Sequence, residues 1–411
     1  MNECKRLALI SQYDSWDAKA ILKLARTNVC SANSVKDFFP TEHNTCKMIN
    51  RIRQENRARP PKKDGSNMLE FVFRVDTLPE EVPIEFYRGY VTSVYQGKTY
   101  RHDIFMTESA RKTFKRTKLI IADSTFQICK EPHKQLLTIH AQVKTPEDGL
   151  TVNMPLVFVL MQKKSESAYT AVFQKIKDIV EEDGSSRVER IIVDYEMAMW
   201  NAMRAVWVNA RVRGCWFHFC QCIYRKVQAL KLVKSFYEHY QVQKMVKRLM
   251  CLPLIDANNI PMVFDRLRDD KYQDIIADNP VVKALFDYFE KQWIRGTGTG
   301  FKPEDYSVFR QLIRTTNIVE SWNGSIFKEG NYKKHDIYQL AKLLARESAD
   351  CEANRLHYAS KKYKRRHQVE REKAIQNAYA KFDVNKQLME LLENPRKATK
   401  RHIRYRPTVL E

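Results

Sequence analysis

No run of about 18 apolar residues occurs in the 411-residue chain, so the sequence offers no segment to cross a membrane as a helix. The opening MNECKRLALI is too short and too charged for a secretory signal, and an intracellular location is the expectation. A paired-cysteine framework is missing too. Nine cysteines, an odd number, are scattered along a long chain, which suits reduced thiols or a metal site better than disulfides. Residues 1–60 hold no Cys/His spacing of the zinc-finger kind. Acidic side chains are outnumbered, 49 Asp and Glu against 71 Lys and Arg, leaving a formal net charge of +22. A soluble surface with that excess is built for phosphates, which puts nucleic acid ahead of a ribosomal or membrane-surface role.

Hydrophobic residues, at 44%, are enough for one large domain with appendages or for two ordinary domains. Residues 15–58 read as three short helices, with apolar positions Ile21, Leu24 and Ala25, then Val35, Phe38 and Phe39, then Met48, Ile49 and Ile52. The third carries Lys47, Arg51, Arg53 and Arg57, so residues 1–62 are a small basic helical region, either a helix-turn-helix or plain packing. ARPPKKDG then breaks the pattern as a linker does. Residues 63–115 are a mixed lead-in that closes on a helix in ESARKTFKRTK.

The clearest order follows. Leu119 to Ala122, Leu136 to Val143 and residues 151–161 read as three antiparallel strands, and Pro155 places the third at a sheet edge. Tyr169, Val172, Phe173, Ile176, Ile179 and Val180 have helical spacing. RIIVD (190–194) is a short buried strand, a helix follows it, and RVRGCWFHF (211–219) is a fifth strand. Three antiparallel strands followed by two parallel ones reached through helical crossovers make an α/β fold with a mixed five-stranded, ribonuclease H-like sheet over residues 116–330. A charged, strandless stretch at about 221–305 reads as a large all-α insertion. Residues 331–411 form a helical, basic C-terminal tail. There Lys361, Lys362, Lys364, Arg365 and Arg366 join Lys47 and Arg51 as candidate nucleic-acid contacts, with nuclear import as the alternative use of the tail.

In that topology the first strand, the end of the fourth and a later helix converge on one sheet edge, and an acid sits at each: Asp123 in LIIADSTFQI, Asp194 in IIVDYEMAM and Glu320 in TTNIVESWNGSIFK. Each also has an ordinary reading. Asp123 can be a turn residue, Asp194 the N-cap of a helix starting near Glu196, and Glu320 the N3 member of a capping box on Asn317. Together they point to a carboxylate set for two Mg²⁺ or Mn²⁺ ions, which take hard oxygen ligands and act on either side of a phosphodiester when about 3.5–4 Å apart. An Asp inside a β-branched run is costly to bury unpaired, and a cation would compensate Asp123.

CWFHFCQC gathers Cys215, His218, Cys220 and Cys222. Zinc is the lesser reading, because a strand-to-helix junction splays such side chains; a structural role or a DNA-facing His218 stands beside it. Trp200, Trp207 and Trp216 read as core, with stacking on an unpaired base as the minority reading.

These motifs resemble the Mutator-like element (MULE) transposases. IIADSTF is similar to the family's first-Asp strand, IVDYEMAM to its second-Asp segment, GCWFHFCQCIYRKVQ to its Cys-x-x-His segment and TNIVESWNGSIF to its final-Glu helix, with HAQV and NMPLVFVLM between them. The resemblance runs from about residue 95 to 345. It implies a DDE-type DNA transposase with a ribonuclease H-like core interrupted by an all-α insertion, with Asp123, Asp194 and Glu320 as the metal-binding triad. Double-stranded DNA, both terminal repeats and target, would be the partner, the nucleus the location, and homo-oligomerisation is among the expectations. Ser124, Ser321 and Asn323 depart from the family pattern, and the upstream FLYWCH-type finger of many members has no counterpart in residues 1–60. The rival readings are a catalytically inactive domesticated derivative that binds DNA or chromatin, and an RNA-processing nuclease, which would prefer substrates with a 2′-hydroxyl.

Overall fold

One mixed sheet organises the chain. In the computed structural model, which describes residues 2–9, 18–29, 41–55, 62, 86–144, 151–297, 300–357 and 375, seven strands lie in the order β1-β2-β5-β4-β3-β6-β7. They are β1 (Tyr87–Tyr95), β2 (Lys98–Phe105), β3 (Leu119–Thr125), β4 (Gln135–Lys144), β5 (Thr151–Met161), β6 (Arg190–Val193) and β7 (Arg211–Gly214). Pairs from β1 to β3 across the sheet are antiparallel, and β3-β6-β7 are parallel.

Three expectations are corrected. The sheet has seven strands rather than five, because residues 87–105 of the lead-in form a hairpin whose second strand pairs with β5. Its two-residue turn places Gln96 (φ 50°) and Gly97 (φ 72°) in the left-handed region, the geometry that matches strand twist in tight hairpins. Gln-Gly is a weaker written signal than Asn-Gly, and the hairpin was hidden by it. β5 is not an edge strand: it lies between β2 and β4. Pro155 fits there because the β4 pairing slips, Ile139 facing Val157 and His140 facing Pro155, and because β2 pairs only with Phe158–Met161, beyond the proline. Finally, β7 ends at Gly214 and residues 216–229 are helical. Trp216, Phe219, Cys220, Ile223 and Val227 recur at three- and four-residue spacing and are buried, so the run that looked like a strand continues as an amphipathic helix.

Helices cover both faces. Next to the sheet in sequence are α1 (Asn2–Ala8), α2 (Ala18–Val29), α3 (Glu42–Glu55), α4 (Glu108–Arg116), α5 (Glu166–Val180), α6 (Met197–Val206) and α7 (Trp216–Ala229). The side-chain oxygens of Thr107 and Ser165 accept the amides of Ala110 and Ala168, which starts α4 and α5. Tyr169, Val172, Phe173, Ile176 and Val180 of α5 join Ile120, Ala122, Leu137 and Ile139 of the sheet in the main core. Each fully buried aliphatic of this kind stabilises the fold by roughly 1.5–3 kcal/mol.

The insertion contributes α8 (Val233–Glu238), α9 (Tyr240–Cys251), α10 (Ile260–Asp265), α11 (Gln273–Asp278), α12 (Pro280–Phe289) and α13 (Pro303–Tyr306), and no strand occurs among its described residues. It extends the main core through Phe264, Phe286, Phe289 and Trp293. The chain then returns to the sheet in α14 (Asn317–Glu329) and α15 (Ile337–His357), which cover the opposite face through Trp322, Ile326, Leu340 and Leu344 against Phe105, Leu136, Phe158 and Leu160. The N-terminal helices close a small cluster of their own around Leu7, Ile21, Leu22, Ala25 and Ile49. Of the residues read as their apolar positions, Val35, Phe38 and Phe39 lie outside the described residues, while α1 precedes the region whose spacing predicts helices. No described helix is long and apolar enough to cross a membrane.

Candidate active site

The register of β3 and β6 brings two of the acids together. Leu119 faces Arg190, Ile120 faces Ile191 and Ile121 faces Ile192 in a parallel pair. Carried two residues further, the same register sets Asp123 beside Asp194 at the carboxyl ends of neighbouring strands, which run about 4.8 Å apart. Alternation puts both on the face of Ile121 and Ile192, the face that receives α14.

Local structure holds each acid. Asp123 stays within β3, opposite Thr138, and is 7% exposed, so the turn reading is wrong. Asp194 lies in the β6–α6 connection, where its Oδ1 accepts the Glu196 amide at 3.1 Å; the N-cap itself is Glu196, one correction to the ordinary reading. Tyr195, the next residue, packs its ring against Trp200, Phe219, Trp293 and Phe301. A Cβ on Gly214 would come within 2.2 Å of that ring, so β7 needs glycine at the point where Tyr195 crosses it. The aromatic anchor fixes the backbone that presents Asp194.

The third acid arrives on α14. Val319 packs with Ile121, Ile192 and Cys215, while Trp322 lies edge-on to His140, with ring centroids 5.0 Å apart. Glu320 and Asn323, three residues apart on this helix, turn toward the acids. Asn323 donates its side-chain amide to Asp123 Oδ2 at 3.0 Å. Glu320 is not in a capping box: the N-cap is Thr316, whose hydroxyl oxygen lies 3.4 Å from Glu320 Oε1. The same Oε1 lies 3.2 Å from His218 Nε2 on the first turn of α7.

Burial pushes Asp123 up to about 6; His218 opposes the rise and Asp194 adds to it. Burial likewise pushes Glu320 up to about 7, with His218 opposing and Asp123 adding. For His218, burial disfavours the cation but is outweighed by Cys215, Asp123 and Glu320, which push the imidazole up to about 10. The electrostatics are those of crowded carboxylates short of positive charge, with His218 as the cation at hand.

The oxygen donors of Asp123, Asp194 and Glu320 are of the hard type that Mg²⁺ and Mn²⁺ take. Among the described residues, however, no three His, Cys, Asp or Glu side chains converge on one point close enough to hold an ion, since Glu320 is turned to His218. The Cys-x-x-His segment scatters in the way its junction implies. Cys215 Sγ accepts from the Thr316 amide at 3.2 Å and from its hydroxyl at 3.3 Å, His218 faces Glu320, and Cys220 points to the Met250 carbonyl at 3.7 Å. Trp200, Trp207 and Trp216 are buried, the last donating its indole N–H to the Met250 carbonyl at 2.8 Å.

Lys47 and Arg51 lie exposed on α3, outside the acid cluster, and Arg51 faces Glu55 at 3.5 Å. Lys361, Lys362, Lys364, Arg365 and Arg366 fall outside the described residues. Sequence reasoning missed three contributors. Asn323 was noted only as a departure from a pattern, although Glu320-x-x-Asn323 is a helical i,i+3 pair; Thr316, four before Glu320, carried the same signal. Tyr195 carried none that distinguished it from other aromatics.

Comparison with curated proteins returns no match. A family model does match: the MULE transposase domain, over residues 119–222, from the first residue of β3 into α7. The matched segment holds Asp123, Asp194, Cys215 and His218, and ends before Glu320. The strand pair that presents two acids and the Cys-x-x-His junction after it are therefore the part of the chain that is similar to the MULE transposase domain.

Proposed function

We propose that the chain is a DDE-type DNA transposase, cutting phosphodiester bonds at transposon ends and joining the released 3′-hydroxyl to target DNA. The observation that carries this reading is the β3–β6 register, which leads Asp123 and Asp194 side by side and within electrostatic reach of each other, next to the helix that bears Glu320. Antiparallel β5-β4-β3 continued by parallel β6-β7 fits a ribonuclease H-like core, to which β1 and β2 add an outer hairpin.

In this reading Asp123 and Asp194 hold divalent cations, Mg²⁺ or Mn²⁺, and Glu320 completes the oxygen set. When bound, a cation pair neutralises charge at the phosphodiester and makes water or a hydroxyl a nucleophile at neutral pH. The chain's own part is orientation: Asn323 fixes one Asp123 oxygen, Tyr195 fixes the segment of Asp194, and His218 holds Glu320 until the oxygen set forms. The +22 charge favours a double-stranded DNA partner through its phosphates, and a nuclear location goes with this reading.

The test is nicking of duplexes that carry the native terminal repeats, with Mg²⁺, Mn²⁺ or chelator. Divalent-dependent nicking is expected, lost in Asp194→Ala while salt-sensitive binding persists. Nicking that survives Asp194→Ala, or DNA binding with no nicking under any divalent ion, overturns the reading.

A further inference from the structure

The Cys-x-x-His segment is left without a task by the acid chemistry, and its contacts point to one. We propose that Cys215 and His218 are positioning residues: together they brace the first turn of α14 and so set where Glu320 stands relative to Asp123. The inference rests on the transposase reading for the role of Glu320, but the brace itself is a property of the chain.

The geometry is specific. Cys215 is the N-cap of α7, and His218, three positions on, lies in the same turn and on the same side. Thr316 is the N-cap of α14 and is fully buried. Its amide and hydroxyl both go to Cys215 Sγ, and that hydroxyl also lies 3.5 Å from His218 Nδ1 and 3.4 Å from Glu320 Oε1. His218 Nε2 closes the ring on Glu320 at 3.2 Å. Beside it the Trp216 amide donates to the Arg314 carbonyl at 2.9 Å, so the chain entering α14 is tied to the start of α7 at the backbone as well. Two helix starts, separated in sequence by the whole α-helical insertion, are thus locked face to face.

The chemistry explains the residue types. A buried amide left unpaired is costly, and Cys215 offers an acceptor small enough to sit in the apolar cluster of Ile121, Ile192 and Val319. His218 has two ring nitrogens on opposite sides, so one side chain reaches the helix cap and the catalytic acid at once. The one-turn spacing of Cys215 and His218 is what a brace between two helix starts needs, whereas the paired half-sites of a zinc centre would need their sulfurs and nitrogens to converge.

The test compares Cys215→Ala and Cys215→Ser, and His218→Ala and His218→Gln, by amide hydrogen exchange in residues 316–320 without metal and by nicking at saturating Mn²⁺. Loss of one buried bond to sulfur in Cys215→Ala should speed exchange in that turn about five- to tenfold, with Cys215→Ser closer to wild type and exchange in β4 unchanged. His218→Ala should lower the maximal nicking rate at unchanged DNA affinity, and His218→Gln, which can still donate to Glu320, should restore most of it. Unchanged exchange in Cys215→Ala overturns the brace, as does a wild-type nicking rate in His218→Ala. Stoichiometric zinc that Cys215→Ala releases overturns it too. If Cys215→Ala does not fold, Cys215→Ser and the His218 pair decide the matter. A wild-type chain that never nicks DNA sinks the transposase reading alone, because the exchange measurement needs no catalysis.

Discussion

Asn323 reaches from α14 to β3 and donates to Asp123 Oδ2 at 3.0 Å, so a carboxylate buried in the sheet is held by a residue 200 positions away. That bond favours the ionised acid, against the larger effect of burial. Asn323→Ala is therefore expected to raise the Asp123 pKa above its present value of about 6 and to destabilise the fold by about 1–2 kcal/mol. Carboxyl-carbon NMR titration and urea unfolding measure the two effects; an unmoved Asp123 titration would remove the bond from the account.

Asp123→Asn tests the same burial from the other side. A carboxyl held near 6 when folded and near 3.9 when unfolded stabilises the fold only while protonated, and this contribution is lost as pH rises from about 4 to about 6. Above that window the buried charge is a burden on the metal-free protein. Asp123→Asn should then be more stable than wild type at pH 7.5 by about 1–3 kcal/mol, while at pH 4 the two should nearly coincide. Chemical denaturation at both pH values checks this, and equal stabilities at pH 7.5 would contradict it.

His140 and His102 predict the opposite dependence. Burial pulls His140 down to about 3 and His102 down to about 4, so both stay neutral in the folded chain while the unfolded chain takes up protons near 6.5. The unfolded state binds more protons between those limits, and stability should fall as pH drops below about 6.5. His140→Gln should flatten part of that slope in thermal melts between pH 7 and pH 4.5. An unaltered slope would mean that His140 takes up its proton without unfolding.

Gly214→Ala should disturb Asp194 without touching it. The new Cβ would meet the Tyr195 ring at 2.2 Å, and overpacking of this kind costs about 1–3 kcal/mol. Since Tyr195 anchors the segment after β6, nicking is expected to fall further than DNA binding. A variant with wild-type melting temperature and wild-type nicking would show that the aromatic anchor has slack.

Much of the site could be read before any coordinates. Asp123 and Asp194 stand out because each ends an apolar β-branched run, and Glu320 because a helical pattern surrounds it. Lead-in residues 87–105 were harder, since a hairpin with a Gln-Gly turn and partly exposed strands has little contrast between its faces. Pro155 misled for a physical reason: a proline excludes one ladder bond, which an edge position avoids, but so does a register slip beyond the reach of the neighbouring strand. Residues 215–219 misled because a short apolar run has the same look in a strand and at the start of a buried helix.

Taken alone, the sequence determined the local side of this protein: the alternation of Ile120 with Ile121, the helical spacing of α5, the surplus of positive charge and three acids each at the end of an apolar segment. Tertiary structure decided which of these meet. Strand neighbours are chosen by backbone hydrogen bonds between distant segments, and only that pairing puts β5 inside the sheet and Asp123 beside Asp194. The bonds of Asn323 to Asp123, of Cys215 to Thr316 and of His218 to Glu320 depend on where α14 lands after the insertion, and residue spacing along the chain carries no record of that distance.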